Sequence, residues 1–198
     1  MAVVTGLRET RGGRVAVELD GARWRTLPVE VVARVQLATG EELDRPRLRE
    51  LARELRRTRA VNSALRAVSR RDLSSRRLRE RLERRGIPPP EREEALGVLQ
   101  RAGFVDDARY AVRRAASLAE RGHGDAAIRW RLEGEGVPPE LVVDALCQLE
   151  PEAERARRVI EARGAGMRTA RELARRGFGE DAVESALGGL VADEGSPS

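Results

Sequence analysis

The chain has 198 residues, of which 38 are arginine and none lysine, and its formal net charge is +5. Aromatic residues make up only 3%, whereas charged residues reach 36%, well above the roughly 25% of an average globular domain. A core built of Leu, Val and Ala favours packed helices over a β-sandwich. No apolar run approaches the roughly 18 residues of a membrane span, and no signal-peptide pattern opens the chain. We therefore expect a cytoplasmic protein that does not enter membranes.

The residues that usually carry chemistry are scarce. Cys147 and His123 are the one cysteine and the one histidine, which leaves few options for a disulfide or a metal site. We expect Cys147 to pack on a helix face and His123, which stands between two glycines, to be solvated in a loop. Phosphate-binding and dinucleotide-binding glycine motifs are absent. The sequence therefore predicts no cofactor, no metal and no enzymatic activity.

Charge is distributed unevenly along the chain. Residues 53–85 carry thirteen arginines against four acidic residues, whereas residues 122–198 carry ten arginines against fifteen. A run of charge is ordinarily a solvated helix face. An excess confined to one part of the chain and opposed by an acidic far end would also orient the protein on a polyanion. Both interpretations stay open at this point.

Residues 1–45 are predicted to form a small β-hairpin or meander closed by a short helix. Strands are expected at about 3–7, 14–19 and 22–27, joined by the turns Gly12-Gly13 and Asp20-Gly21. A helix should then begin after Pro28 and run to Leu37, ending at Gly40. This unit is too small to be very stable by itself.

A long linking helix is predicted at 46–70. Asp44 is a suitable N-cap and Pro46 a suitable first-turn residue. The apolar positions between 48 and 55 lie on a different face from those between 61 and 68. The pattern predicts a bend or break near Thr58, or one helix that packs on two different partners.

Three later segments repeat one pattern around a glycine. When the glycines are aligned, apolar residues recur four positions before it and one, nine, ten and thirteen positions after it. The copies are Leu82, Gly86, Ile87, Ala95, Leu96 and Leu99; Leu132, Gly136, Val137, Ala145, Leu146 and Leu149; and Leu173, Gly177, Phe178, Ala186, Leu187 and Leu190. A helix that ends at a left-handed glycine and is followed by a second amphipathic helix explains this spacing. Each copy is predicted to be an αα-hairpin.

The predicted fold class is mainly α, an elongated right-handed array of tandem three-helix repeats behind the small N-terminal β-hairpin or meander. A third helix is expected after each of the first two hairpins, at about 106–121 and 152–163. We place the repeats at 71–121, 122–164 and, truncated, 165–191, and a disordered tail at 192–198. Such arrays usually serve binding, and we expect a monomer.

Candidate binding residues lie on the first repeat helix. Arginines at positions 77, 81, 84 and 85 step by three and four along one side of it, and three more extend the row. These seven residues are Arg70, Arg71, Arg76, Arg77, Arg81, Arg84 and Arg85. The row could meet phosphates along a nucleic-acid backbone, but an acidic groove on a protein would satisfy it equally. The nearby pair Asp106-Asp107 opens a helix, where capping is a better explanation than catalysis.

The segment GFVDDARYA at 103–111, followed by RGHGDAAIRWRLEGEGV at 121–137, resembles the RecX family of bacterial recombination regulators. The matching residues of the first segment are Phe104, Asp106, Asp107, Arg109, Tyr110 and Ala111. The resemblance covers roughly 60–190 and implies a protein that binds the RecA recombinase in the groove of its DNA filament, and in some members DNA itself. It adds Arg109, Tyr110, Arg114 and Arg121 to the candidate contacts. This chain departs from the family pattern at Arg114, where an aromatic or apolar residue is common, and at His123, where a tyrosine is usual.

Three functional hypotheses follow. The first is a regulator that binds the RecA–DNA filament and modulates, chiefly inhibits, its ATPase, recombination and coprotease activities in DNA repair and the SOS response. The second is a stand-alone basic module that binds single- or double-stranded DNA without RecA. The third is a helical scaffold whose acidic C-terminal part meets a basic protein, which truncation after about residue 163 would separate from the other two.

Overall fold

The computed structural model describes the backbone of residues 2–193 and the side chains of residues 2–187. Contacts divide these residues into two compact units. The first unit comprises residues 2–70 and 79–104, and the second comprises residues 71–78 and 105–193. The mainly α fold with an N-terminal β extension, expected from the sequence, is confirmed.

The first unit opens with a four-stranded antiparallel sheet of order β3-β2-β1-β4. Its strands are β1 (Ala2–Thr10), β2 (Arg14–Leu19), β3 (Ala22–Pro28) and β4 (Glu42–Leu43). The predicted Asp20-Gly21 hairpin is confirmed, with positive φ angles of 48° and 80° at its two turn residues, as a type I′ turn requires. The short β4 was not predicted. It pairs with the start of β1 and closes the far edge of the sheet.

The helix after the sheet, α1 (Val29–Arg34), is shorter than predicted. It ends at Arg34 because Gln36 adopts a left-handed conformation with φ of 50°. The Gln36 and Leu37 amides donate to Ala33 and Val32 carbonyls, which closes the helix end. The expected extension to Leu37 is therefore wrong. This early turn sends Leu37, only 6% exposed, into the core beneath the sheet.

The long helix α2 (Arg45–Val68) is uninterrupted. The Asp44 carboxylate accepts a hydrogen bond from the Arg47 amide at 2.8 Å, so the predicted N-cap is confirmed. The predicted break near Thr58 is wrong, and the alternative holds, because one helix packs on two partners. Leu51 and Leu55 join the core of the sheet, and the helix also packs along α4.

Eight further helices follow in the described part of the chain. They are α3 (Ser75–Glu83), α4 (Pro89–Arg101), α5 (Asp107–Glu120), α6 (Asp125–Gly134), α7 (Pro139–Cys147), α8 (Glu152–Arg163), α9 (Met167–Arg175) and α10 (Glu180–Asp193). None of the helices between residues 2 and 193 has the length and apolarity that crossing a membrane requires. Helix α10 includes the first two residues of the predicted tail, and residues 194–198 lie outside the described residues.

The repeat register predicted around the three glycines is confirmed. In each copy the glycine amide donates to the carbonyl three residues back, and the next amide donates to the carbonyl five residues back. This pair of bonds is the Schellman motif. The leucines four positions before the glycines and the alanines nine positions after them are all 0% exposed. Leu190 lies outside the described side chains.

The helices group differently from the prediction. One core is shared by α5, α6 and α7, and another by α8, α9 and α10. In both cases the third helix precedes its hairpin in the chain, whereas the sequence analysis placed it after the hairpin. The reason is that the hydrophobic stripe of α5, including Ala111, Ala115 and Leu118, faces the hairpin that follows it.

Within the second unit, the start of one repeat's hairpin rests on the glycine turn of the next. The Gly124 and Ala126 amides at the start of α6 donate to the Arg176 and Gly177 carbonyls at 2.9 and 3.1 Å. At the equivalent place before α3, the Ser74 hydroxyl donates to the Glu135 carbonyl at 2.5 Å. We call the contact at α3 the first repeat junction and the contact at α6 the second. Each contact brings the start of a helix close to the turn glycine, so neither leaves room for a side chain at Gly136 or Gly177.

Glycine is required at these turns for two reasons. A Cβ at Gly177 would lie 2.6 Å from the Ala127 amide nitrogen, and Gly177 also has φ of 82°. Gly86, which occupies the same repeat position, has φ of 70° but nothing within 4 Å of such a Cβ.

We therefore expect Gly86→Ala to cost about 1 kcal/mol, the strain of a left-handed alanine. Gly177→Ala should cost about 3 kcal/mol, because displacing packed backbone adds a penalty of its own. Urea unfolding followed by far-UV circular dichroism measures both. Equal losses in the two variants would show that the Ala127 contact does not constrain the turn.

Candidate functional site

The predicted arginine row divides between the two units, because α3 begins in the second unit and ends in the first. On the first-unit side, Arg84 and Arg70 are exposed, and neither has an ion-pair partner among the described residues. Arg81 is partly buried. Arg85 donates a hydrogen bond of 2.6 Å to the Ser63 hydroxyl of α2. The row is therefore partly structural.

Carboxylates of α4 compensate much of the basic excess counted between residues 53 and 85. Ion pairs of 2.7–2.8 Å join α4 to arginines of α2 and α3. They are Arg56–Glu91, Arg57–Glu94 and Arg79–Glu93. These acids lie outside the counted segment, so the charge available to a partner is smaller than the sequence count suggests.

In the second unit the start of α3 is capped twice. The Ser74 hydroxyl accepts from the Arg77 amide at 3.2 Å, and the Asp107 carboxylate accepts from the Ser75 amide at 2.7 Å. Asp106 caps its own helix by accepting from the Arg109 amide at 3.0 Å. The expectation that this acid pair caps helices is confirmed, although Asp107 serves a helix 32 residues away.

Tyr110 and Arg114, two predicted contacts, converge on Glu135 within the protein. The Tyr110 hydroxyl donates to Glu135 Oε2 at 2.7 Å. Arg114 donates from Nη2 to Oε1 at 2.8 Å and from Nε to Oε2 at 3.1 Å, a two-pronged ion pair. We call these three residues the Glu135 cluster. Arg76 lies over the adjacent Gly136, and the positive charge of Arg77 acts on Glu135.

Burial opposes the ionisation of Glu135, but the hydrogen bonds from Arg114 and Tyr110 outweigh it and hold the pKa of this carboxyl below its ordinary value. Burial and the same carboxylate raise the pKa of Tyr110 to about 12. The cluster is therefore an ionised carboxylate between a neutral phenol and a guanidinium. Both side chains are committed to internal bonds, which leaves them less available to a partner than the sequence analysis expected.

The remaining predicted contacts of the second unit lie on its surface. Arg71, Arg109 and Arg121 are exposed. Arg71 and Arg121 have no ion pair among the described residues, and neighbouring Arg113 pairs with Asp72 at 3.0 Å. Together with Arg70 and Arg84 of the first unit, Arg71 and Arg121 are the predicted residues whose charge is available to a partner.

Two predictions about single residues are wrong. Cys147 ends α7 and is exposed instead of packed. His123 is half-buried, and its Nε2 accepts from Arg131 at 2.8 Å. Burial and the charges of Arg131 and Arg176 lower the pKa of His123, which keeps the imidazole neutral and able to accept this bond.

Arg155 is a structural residue that the sequence does not predict, because nothing in its local pattern marks it. Its side chain is 6% exposed, pairs with Asp125, and donates to the Glu150 and His123 carbonyls at 3.0 Å each. Its guanidinium also lies 5.9 Å from the Phe178 ring centroid. A fully partnered buried arginine of this kind holds the second repeat junction together.

Trp130 was also missed, although a signal was present. It stands in α6 between the buried residues Ile128 and Leu132, at a position that faces away from their stripe. The side chain is 75% exposed. An exposed tryptophan on a rigid helix is a common anchor for a protein partner.

The Glu135 cluster predicts a pH-dependent stability. Glu135→Gln removes the charge that faces Arg114 and should destabilise the protein by about 2 kcal/mol at neutral pH. Because folding lowers the pKa of Glu135, its contribution is present above the unfolded value of about 4.3 and is lost as the pH falls through the folded value. The gap between wild type and variant, measured by urea unfolding, should close on acidification. Glu133→Gln, at an exposed position in the last turn of α6, is the matched control, and an equal loss there would contradict the role of the cluster.

The sequence of this chain is similar to those of known regulatory proteins. A model of the first three-helix domain of RecX matches residues 60–108. The regulatory protein RecX of Trichlorobacter lovleyi is 33% identical over 137 residues, which cover 61% of this chain and 88% of that protein. The RecX of Halorhodospira halophila is 35% identical over 143 residues, which cover 67% of this chain and 88% of that protein. The RecX of Deinococcus radiodurans is 32% identical over 158 residues, which cover 75% of this chain and 76% of that protein.

Solved structures agree on the fold. A crystal structure of regulatory protein RecX matches with a TM-score of 0.79 at 23% identity and covers 93% of this chain and 98% of that one. The crystal structure of RecX from Lactobacillus salivarius matches with a TM-score of 0.59 at 18% identity and covers 69% of this chain and 97% of that one. The repeat register, the matched domain and the identity across most of the relatives' length lead to one conclusion. The chain belongs to the RecX family of regulatory proteins.

Proposed function

We propose that this protein regulates the RecA recombinase by binding the RecA–DNA filament, and that it inhibits the filament's ATPase, recombination and coprotease activities. Membership of the RecX family carries the proposal. In this proposal the chain acts by binding and performs no catalytic step of its own.

The exposed arginines support a partner that carries phosphates. Arg70, Arg71, Arg84 and Arg121 are exposed and have no ion pair among the described residues, so binding need not break an existing bond. Guanidinium groups bind phosphate and carboxylate oxygens in a forked geometry. A nucleoprotein filament offers both kinds of oxygen.

The exposed aromatic ring of Trp130 supports a protein component of that partner. Tryptophan and arginine are the residue types most enriched among energetically dominant interface residues. Trp130 lies next to Arg129 and near Arg131 on α6. A plain nucleic-acid module would gain little from a tryptophan outside a phosphate-tracking groove with interleaved aromatics.

We expect the purified protein to slow DNA-dependent ATP hydrolysis by RecA at substoichiometric levels. The variant R70Q/R71Q/R84Q should inhibit about tenfold less well at low salt, because three phosphate or carboxylate contacts are lost. The control R168Q/R171Q/R175Q removes the same charge from exposed positions of α9 that have no ion pair among the described residues. It should stay close to wild type.

Absence of any effect on both ATP hydrolysis and strand exchange would refute this function. The alternative of a stand-alone DNA-binding module has its own signature. It predicts tight, salt-sensitive DNA binding without RecA together with unchanged RecA activity, measured by fluorescence anisotropy of labelled DNA over a salt series.

A second prediction concerns the protein contact alone. Trp130→Ala should weaken binding to RecA filaments about tenfold, because truncating a tryptophan anchor typically costs more than 1 kcal/mol. The fold should be unaffected, since the ring is 75% exposed. Met167→Ala, which truncates another exposed side chain of the second unit at 71%, is the control. Pull-down on preformed filaments measures both, and equal retention of the two variants would exclude Trp130 from the contact.

A further inference from the structure

The first unit contains a cleft of about 390 Å³ between the sheet and α2. Four arginines line it, two from the sheet and two from the helix. They are Arg14, Arg25, Arg59 and Arg66. No carboxylate is among the lining residues. Among the lining residues, the Asn62 side-chain amide donates to Oε1 of Glu30, which lies outside the lining, at 3.3 Å.

The two cleft arginines of α2 lack the ion pairs that neighbouring arginines of this helix make. Arg56 and Arg57 pair with carboxylates of α4. Arg59 and Arg66, on the side that faces the sheet, are exposed and have no ion pair among the described residues. They stand seven residues apart, which is two helical turns, so both face the cleft. Helix α2 thus has a neutralised side toward α4 and a positively charged side toward the cleft.

The sheet fixes the other two arginines in place. Arg14 donates from Nη2 to the Thr26 carbonyl at 3.0 Å. The Arg25 guanidinium lies 4.6 Å from the Trp24 ring centroid, a cation–π contact that leaves its N–H edge free to donate. Both groups are held in position before any ligand arrives, which lowers the entropic cost of binding one.

The apolar floor of the cleft strengthens the electrostatic potential inside it. Leu27 and Leu55 are buried there, and apolar walls around a charged cleft concentrate the potential inside it. Thr58 is 6% exposed and lines the same floor.

We propose that this cleft is an anion site that binds phosphate groups. Four guanidinium groups without carboxylate partners among the described residues, set against an apolar floor, are the chemistry that recognises a phosphate ester. The phosphates can belong to a nucleic-acid backbone or to a free small phosphate compound. This site goes beyond regulation of RecA, because it lies in the N-terminal part of the chain, outside the arginine row of α3.

The test uses the full chain without RecA and reads the cleft directly. Trp130→Phe leaves Trp24, which contacts Arg25 of the cleft, as the single tryptophan reporter. Pyrophosphate and a short oligothymidine are titrated separately while Trp24 emission is followed. The site variant is R59Q/R66Q, with R59Q and R66Q also made singly. The matched control R49Q/R53Q removes two exposed charges from other faces of the same helix.

We expect a saturable change in Trp24 emission, with affinity weakened at least about tenfold in R59Q/R66Q, because two charge-assisted hydrogen-bond donors to the phosphate are lost. The control should stay within about twofold, since it lies outside the cleft and acts only by screened charge. For the oligonucleotide, the slope of log affinity against log salt should fall by about 1.4, which corresponds to two phosphate contacts on a single strand.

The two probes separate the sources of phosphate. A response to the oligonucleotide alone identifies a nucleic-acid site, and a response to pyrophosphate identifies a site for free phosphate compounds. No change in Trp24 emission with either probe, or equal weakening in R49Q/R53Q, would overturn the proposal. Because RecA is absent throughout, either result leaves the proposed regulation of RecA untouched.

Discussion

The second unit depends on a backbone contact, the repeat junction, in which the start of one helix rests on the glycine turn of the next repeat. A helix N-terminus carries amides without intrahelical partners, and here those amides or the capping hydroxyl bond to the turn. The first residue of a helix that begins two elements later, Asp107 of α5 or Glu152 of α8, accepts from the Ser75 or Asp125 amide at 2.7 or 2.6 Å. The same arrangement therefore occurs at both junctions. Each glycine turn ends one helix and also binds the start of another.

The junctions also decide which charged residues are structural. The Glu135 cluster forms beside the first junction, and buried Arg155 spans the second. Charged groups removed from water must be paired to be tolerated, so these residues have little left to offer a partner. Arginines distant from the junctions and from α4 keep their charge exposed. The division between internal and external arginines is the electrostatic basis of both proposals made for this protein.

Local features were predicted well from the sequence. The hairpin at Asp20-Gly21, the cap at Asp44 and the three Schellman turns depend on residues within a few positions of one another. Errors arose where a distant contact overrides a local preference. The left-handed conformation of Gln36 ends α1 early and goes together with the burial of Leu37 in the core of the sheet. His123 is bonded instead of solvated because Arg131, eight residues away, donates to it.

The sequence by itself determined the helical repeat, its register and the membership of a regulatory family, because hydrophobic spacing and turn residues act over short distances. Only the tertiary structure decided which arginines are free. Arg114 meets Glu135 across 21 residues, and Arg56 meets Glu91 across 35. The tertiary structure also placed Arg14 and Arg25 of the sheet in one cleft with Arg59 and Arg66 of α2. Counting charges along a chain cannot reveal such pairings, because Coulomb interactions depend on distance in space and on burial.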